Sequence, residues 1–182
     1  MKIMIIDGIP TDHPYTPYSD KIIETILSNT KHLIDYFRLR DMVIHPCTGC
    51  WSCWYKTPGL CAIKDDHEQI LSRIPHVDMI LYITPVIVGY ESSLIKICKD
   101  RSIPTAHPYI TLHSGEQHHY ERYEHSPDIS VLALTDDVTI KEDIDLIRET
   151  YERVALNFNN DTIKIYESDT RIGGIDYVLN HI

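Results

Sequence analysis

No stretch of the 182 residues approaches the roughly eighteen consecutive apolar residues that mark a membrane-spanning helix. The opening residues, MKIMIIDG, lack the anatomy of a signal peptide. Nor is there a basic stripe. Lys and Arg total 17 against 27 Asp and Glu, a formal net charge of −10, and the cations are scattered. A nucleic-acid partner needs a basic face, so the composition speaks against one. Internal repeats and low-complexity tracts are missing, and no Ser-His-Asp or Cys-His constellation can be assembled. What remains, with 43% hydrophobic and 24% charged residues, has the balance of a soluble globular protein long enough for one well-buried core. A single domain over 1–182 is expected. Clustered cysteines without a secretory signal fit a reducing, cytoplasmic setting.

Four of the five cysteines fall in one loop, P-C-T-G-C-W-S-C-W-Y-K-T-P-G-L-C-A-I-K-D-D, from Pro46 to Asp66. Cys47, Cys50, Cys53 and Cys61 form a C-x2-C-x2-C-x7-C pattern. Thiolates at such short spacings can turn toward one centre, and the pattern suits an iron–sulfur cluster better than zinc, whose two C-x2-C arms usually sit across a longer gap. Gly49 permits a tight turn between ligands, and Pro58-Gly59 bends the chain back toward Cys61. Three readings stay open: a [4Fe–4S] cluster, unligated thiols, and zinc or disulfides.

The rest of the chain alternates. KIMIID (2–7), VDMILYITP (77–85) and ISVLALT (129–135) are short apolar runs that predict buried strands, and LIDYFRL (33–39) and TIKIYES (162–168) predict a second and a last strand. Between them lie helical patterns. One opens at Ser19 and carries Ile22, Ile23 and Ile26. A second opens at Asp65 and Glu68, a third spans SSLIKICKDR, and a long fourth opens at Thr139 and Glu142. The loop from Gly8 to Tyr18 carries Pro10, Pro14 and Pro17 and cannot be helical throughout. Residues 103–128 exceed what a helix-to-strand connection needs and form an insertion or lid. From Thr170 onward the pattern does not decide between loop and helix. Five strands alternating with helices predict an α/β domain with a parallel sheet.

The cysteine loop with its trailing Asp-Asp, a strand ending T-P, and S-x-x-[LI]-K-x-x-x-D-R together resemble the NADPH-dependent FMN reductase superfamily. The cysteines point to its iron–sulfur flavoprotein branch and the cluster-lacking relatives of that branch. The resemblance covers about residues 1–168. It implies a flavodoxin-like three-layer sandwich with a five-stranded parallel sheet in the order 2-1-3-4-5. It also implies FMN held by three loops at the carboxyl ends of the strands. The phosphate loop would use Gly8, Pro10, Thr11 and Ser19 at a helix start. Here Ile9 and Thr11 replace the usual Ser and Arg. The ring loop would be Thr84, Pro85, Val86, Ile87, Val88 and Gly89, acting mostly through backbone donors. The third loop starts at Thr135, where Asp136 and Asp137 replace small residues. Ser92, Lys96, Asp100 and Arg101 also match the family, the last three either serving the site or supporting the helix.

The function so implied is an FMN-dependent oxidoreductase or electron-transfer flavoprotein that draws on NAD(P)H or a protein electron donor. Its alternative is a degenerate flavodoxin-like binding or structural module that has lost FMN, supported by the altered phosphate loop and the Asp pair. Trp51, Trp54 and Tyr55 among the cysteines make an apolar patch that a homodimer or homotetramer would cover. His118 and His119 are neighbours, which point apart on a strand or a helix, so a shared metal is not expected of them. Cys98 reads as a buried small hydrophobe.

Overall fold

The computed structural model describes residues 1–160 and 163–168. Strand β1 (Lys2–Asp7) enters the protein as an almost fully buried run and is followed by α1 (Thr16–Asn29). Next come β2 (Leu33–Arg38) and a 3-10 turn (Leu39–Asp41). The cysteine loop carries the short α2 (Ser52–Tyr55) and leads into α3 (His67–Leu71). Strand β3 (Met79–Pro85) is buried at every position, and α4 (Ser93–Asp100) follows it. The insertion folds as an antiparallel hairpin, β4 (Ala106–His113) and β5 (Glu116–Glu121). The chain then returns through β6 (Asp128–Leu134), α5 (Lys141–Asn157) and β7 (Lys164–Ser168).

The main sheet has five parallel strands in the order β2-β1-β3-β6-β7. Counting only the five anticipated strands gives 2-1-3-4-5. The chain numbering differs because the insertion contributes two strands of its own, paired only with each other. Two apolar clusters lie on the two faces of this sheet. One gathers Ile70, Ile95, Ile147 and Tyr151 from α3, α4 and α5, and the other Ile22, Ile23 and Ile26 from α1. Helices on both faces are what a parallel sheet requires, since neither face can be left to water. The anticipated strand at 162–168 is observed from Lys164; Thr162 and the tail from Thr170 lie outside the described residues.

Three anticipated helix starts are built differently. Helix α1 begins at Thr16 rather than Ser19, with Pro17 in its first turn, where a missing N–H is no loss. At α3, Asp66 stands at the cap; Asp65 accepts from the backbone of His67 at 3.1 Å, and Glu68 pairs with Lys64 instead of closing a box. At α5, Asp143 accepts from the backbone N–H of Ile140 at 3.1 Å, while the Thr139 hydroxyl is spent on Asp136. Ser92 caps α4 by accepting from the N–H of Ile95. In each altered case a side chain near the expected one completes the turn, which short-range spacing does not discriminate.

Gly8 links β1 to α4. A Cβ there would lie 2.2 Å from Ile95 Cγ1 and 3.0 Å from the Ser92 hydroxyl, so the helix packs where a side chain would be. We expect Gly8→Ala to push α4 away and lower stability by about 1–3 kcal/mol. Urea unfolding measures it, and a midpoint equal to wild type would contradict this packing.

Candidate functional site

The three loops expected to cooperate do meet at the carboxyl ends of β1, β3 and β6. The first is organised by a buried carboxylate. Asp7 accepts from the N–H of Ile9 (2.9 Å), the Ser19 hydroxyl (2.6 Å), the Tyr36 hydroxyl (3.0 Å) and Arg40 Nη1 (2.9 Å). Arg40, whose side chain is only 7% exposed, also donates to Ser19 Oγ. Ser19 therefore sits inside α1 with its hydroxyl committed to Asp7. Thr16 is likewise committed, donating to Pro10 O at 2.7 Å. Ile9, in place of a polar residue, is fully buried in the α1-side core. Thr11 is exposed, and neither it nor the N–H of Asp12 makes a hydrogen bond among the described residues.

The second loop is a tight reversal. Ile87 and Tyr90 exchange backbone hydrogen bonds of 2.8 and 3.0 Å across Val88 (φ 51°) and Gly89 (φ 74°). Positive φ suits Gly89 but strains the β-branched Val88, and strain of this kind gathers at functional loops. The amides of Val88 and Gly89 make no hydrogen bond among the described residues. Behind the turn, Thr84 Oγ1 accepts from the N–H of Ser92 (2.9 Å) and Val86 donates to Leu134 O (3.0 Å). Thr84, Pro85 and Val86 thus fix the loop. The third loop joins the first: the Tyr15 hydroxyl donates to Thr135 O. Beside this contact burial holds the His13 imidazole below its ordinary pKa, opposed by nearby Asp136. Asp136 itself closes a turn, accepting from Val138 and Thr139 backbone N–H groups.

The cysteine loop is tied to the body by Arg101, at the end of α4, which is 1% exposed. Its guanidinium donates to the Asp65 carboxylate, His45 O (3.1 Å), Ile63 O (3.1 Å) and Cys61 Sγ (3.3 Å). Burial opposes ionisation of Asp65, but Arg101 and the His45 and His67 donors outweigh it and hold the carboxyl well below the usual carboxylate range. Cys47, Cys50, Cys53 and Cys61 border one small cavity of about 30 Å3 in front of Arg101. All five cysteines are free thiols. Burial pushes the Cys53 thiol up, with Cys61, Cys50 and Cys47 adding to it. Hydrogen bonds from Ser52, then Thr48, pull exposed Cys50 down. Among the described residues no three His, Cys, Asp or Glu side chains are arranged to hold a single metal ion. Lys96 and Asp100 form an exposed i,i+4 pair. His118 turns to Asn157 of α5 (3.1 Å) and His119 to Trp54 (ring centroids 4.7 Å apart), as alternate faces of a strand dictate.

The sequence reading missed Asp7 and Arg40. A lone carboxylate closing an otherwise apolar strand was the available signal for the first. No family model matches the chain. An iron–sulfur flavoprotein of Methanocaldococcus jannaschii is 31% identical over 104 residues, 57% of this chain and 53% of that protein. The iron–sulfur flavoprotein of Archaeoglobus fulgidus is 29% identical over 102 residues, 56% and 49% of the two chains. The chain thus spans about half the length of the curated relatives it matches. Among solved structures, an FMN-dependent NADH-azoreductase from Bacillus anthracis superposes with a TM-score of 0.63 at 12% identity, covering 99% of this chain and 96% of that one. An NAD(P)H:quinone oxidoreductase from Methanothermobacter marburgensis gives 0.63 at 15% identity, covering 100% and 94%. At such identities the likeness speaks for the fold, a flavodoxin-like one. The homologues are iron–sulfur flavoproteins.

His67 supplies a pH test of the clamp. It is fully buried, its Nε2 lies 3.0 Å from Cys98 O, and burial, then the Arg101 charge, push its imidazole down to about 4. The unfolded chain protonates near pH 6.5 and the folded one only near 4, so in that window the unfolded state binds the extra proton. Stability must fall as pH drops through it, by at most about 1.4 kcal/mol per pH unit from this group. The depressed Asp65 acts elsewhere, its stabilisation persisting above about pH 3.9 and disappearing only in stronger acid. His67→Gln should flatten the slope between about pH 6.5 and 4 in urea titrations; an unchanged slope would refute the assignment.

Proposed function

We propose that the protein is an FMN-dependent oxidoreductase or electron-transfer flavoprotein of the iron–sulfur flavoprotein type. The observation that carries this reading is the meeting of the three loops, in a chain whose Cys47, Cys50, Cys53 and Cys61 thiols border one cavity beside Arg101. The loops suit a flavin. The N–H groups of Thr11 and Asp12 and the Thr11 hydroxyl, on the loop of Gly8 and Pro10, are donors for a phosphate. The N–H groups of Val88 and Gly89, with Ile87 beside them, suit the edge of a ring system, and Thr135 closes the third side. The four thiols, with the Arg101 cation on Cys61, suit a cluster of net negative charge. Bound FMN supplies hydride and single-electron chemistry, fed by reduced nicotinamide or a protein donor. The chain's own groups position the cofactor and shield it.

One observation favours the second reading, a module that has lost FMN. The Asp7 carboxylate, itself paired with Arg40, already occupies the Ile9 N–H and the Ser19 hydroxyl, so neither donor is left for a phosphate. Titrating FMN decides. Quenching of flavin fluorescence with at least micromolar affinity, about −8 kcal/mol, is expected; no quenching at far higher concentration would hand the case to the module. On anaerobic reconstitution with iron and sulfide, wild type should take up both, and Cys50→Ser and Cys61→Ser should lose them. Wild type free of stoichiometric iron would remove the cluster.

Assembly belongs to the same proposal. Trp51 (49% exposed), Tyr55 (73%) and, on the hairpin, Leu112 (75%) are large apolar side chains left in water. We expect a homodimer or homotetramer to cover them. A monomer in sedimentation at tens of micromolar would exclude it.

A further inference from the structure

A cavity of about 830 Å3 lies between α4, α5, the β4–β5 hairpin and the cysteine loop. That is within the ~300–1,000 Å3 of small-molecule sites. Its walls are aromatic: Trp51 and Trp54 from the cysteine loop, Tyr82 from β3, Tyr90 from the turn after β3, and Phe158 beyond α5. Trp54 is fixed, its indole N–H donating to Ile103 O at 3.3 Å and its ring packed 4.8 Å from Trp51. Fixed ring faces favour a flat aromatic guest.

The charges bordering the cavity cancel. Lys99 Nζ lies 2.7 Å from Glu91 Oε2, with side chains 11% and 4% exposed, and Lys96 is paired with Asp100. The Lys99 ammonium also sits 4.1 Å from the centre of the Tyr151 ring. An anionic guest on Lys99 would strip Glu91 of its cation, and a cationic guest on Glu91 would strip Lys99. Either leaves a buried charge unpaired, which is strongly unfavourable. Among the polar groups at the hairpin side, the ring nitrogens of His119 make no hydrogen bond among the described residues.

We propose that this cavity binds an uncharged, planar aromatic molecule of two or three fused rings, whose hydroxyl or carbonyl group hydrogen-bonds to His119. Of the residues assigned to the flavin loops only Ile87 borders it. The site is therefore a second one, and its occupancy does not require FMN.

The chain's two tryptophans both border the cavity, so their fluorescence reports on it. The probe is 2-naphthol, titrated into the full-length protein with and without saturating FMN. Saturable loss of tryptophan emission is expected, with a dissociation constant no weaker than ~100 µM, and unaltered by FMN. Naphthalene-2-sulfonate, the same rings with a charge, should bind at least about tenfold more weakly. His119→Ala should weaken 2-naphthol about fivefold, the share of one hydrogen bond. Ala106→Leu, which fills the cavity from the hairpin side, should also weaken it and serves if His119→Ala does not fold. The proposal is overturned by a non-saturable response, by equal affinity for the sulfonate, by unchanged binding in the folded variants, or by displacement of the probe by FMN. Failure of FMN to bind while 2-naphthol binds would remove the flavoprotein reading and leave this one standing.

Discussion

A guanidinium with no access to water determines how the cysteine half of the molecule is built. Removing an Arg from water is so unfavourable that its partners must be in place whenever the chain is folded. For Arg101 those partners are the Asp65 carboxylate, two backbone carbonyls and the sulfur of Cys61, all from the 45–65 stretch. That stretch has only the one-turn α2 to organise it. Arg101 in turn stands at the end of a helix whose start is fastened through Ser92 to Thr84 of β3. The loop bearing four thiols is thus tied, in two steps, to the most buried strand of the sheet.

Asp7 and Arg40 form a second acid–arginine pair, here with the acid buried at the end of β1 and the arginine in the turn after β2. The chemical consequence differs. Arg101 leaves one donor on a sulfur that a metal centre would use. Arg40 and Asp7 spend their capacity on each other and on Ser19. Donors left over for a ligand in the first loop are therefore backbone amides and one threonine, a set that relies on the loop's geometry rather than on a fixed charge.

The three central sheet strands were legible because a strand buried on both faces must be apolar throughout, as MILYITP is. The gathering of four thiols was legible because Cys47, Cys50, Cys53 and Cys61 are close in sequence. Helix starts were less so: Ser19 and Thr139 both have the right chemistry for a cap, and both hydroxyls instead satisfy an aspartate. The clamp at Arg101 joins residues 36 and more positions apart, so no local pattern carries it. The hairpin was visible only as surplus length. Its strands leave Tyr109, Ile110 and Leu112 exposed and so give no core-facing alternation.

The turn of that hairpin has a consequence in time. Ser114 and Gly115, at φ 48° and 81°, close a two-residue reversal whose twist matches antiparallel strands. A hairpin of this kind needs contacts only between near neighbours and forms in about 1–10 µs. The parallel sheet instead pairs Ile3 with Met79, and Met79 with Asp128, and must close long loops before any such pair gains from it. The hairpin is thus suited to forming before the parallel sheet closes. Once α5 is in place, the Arg153–Glu116 pair and the His118–Asn157 contact fix where the hairpin lies.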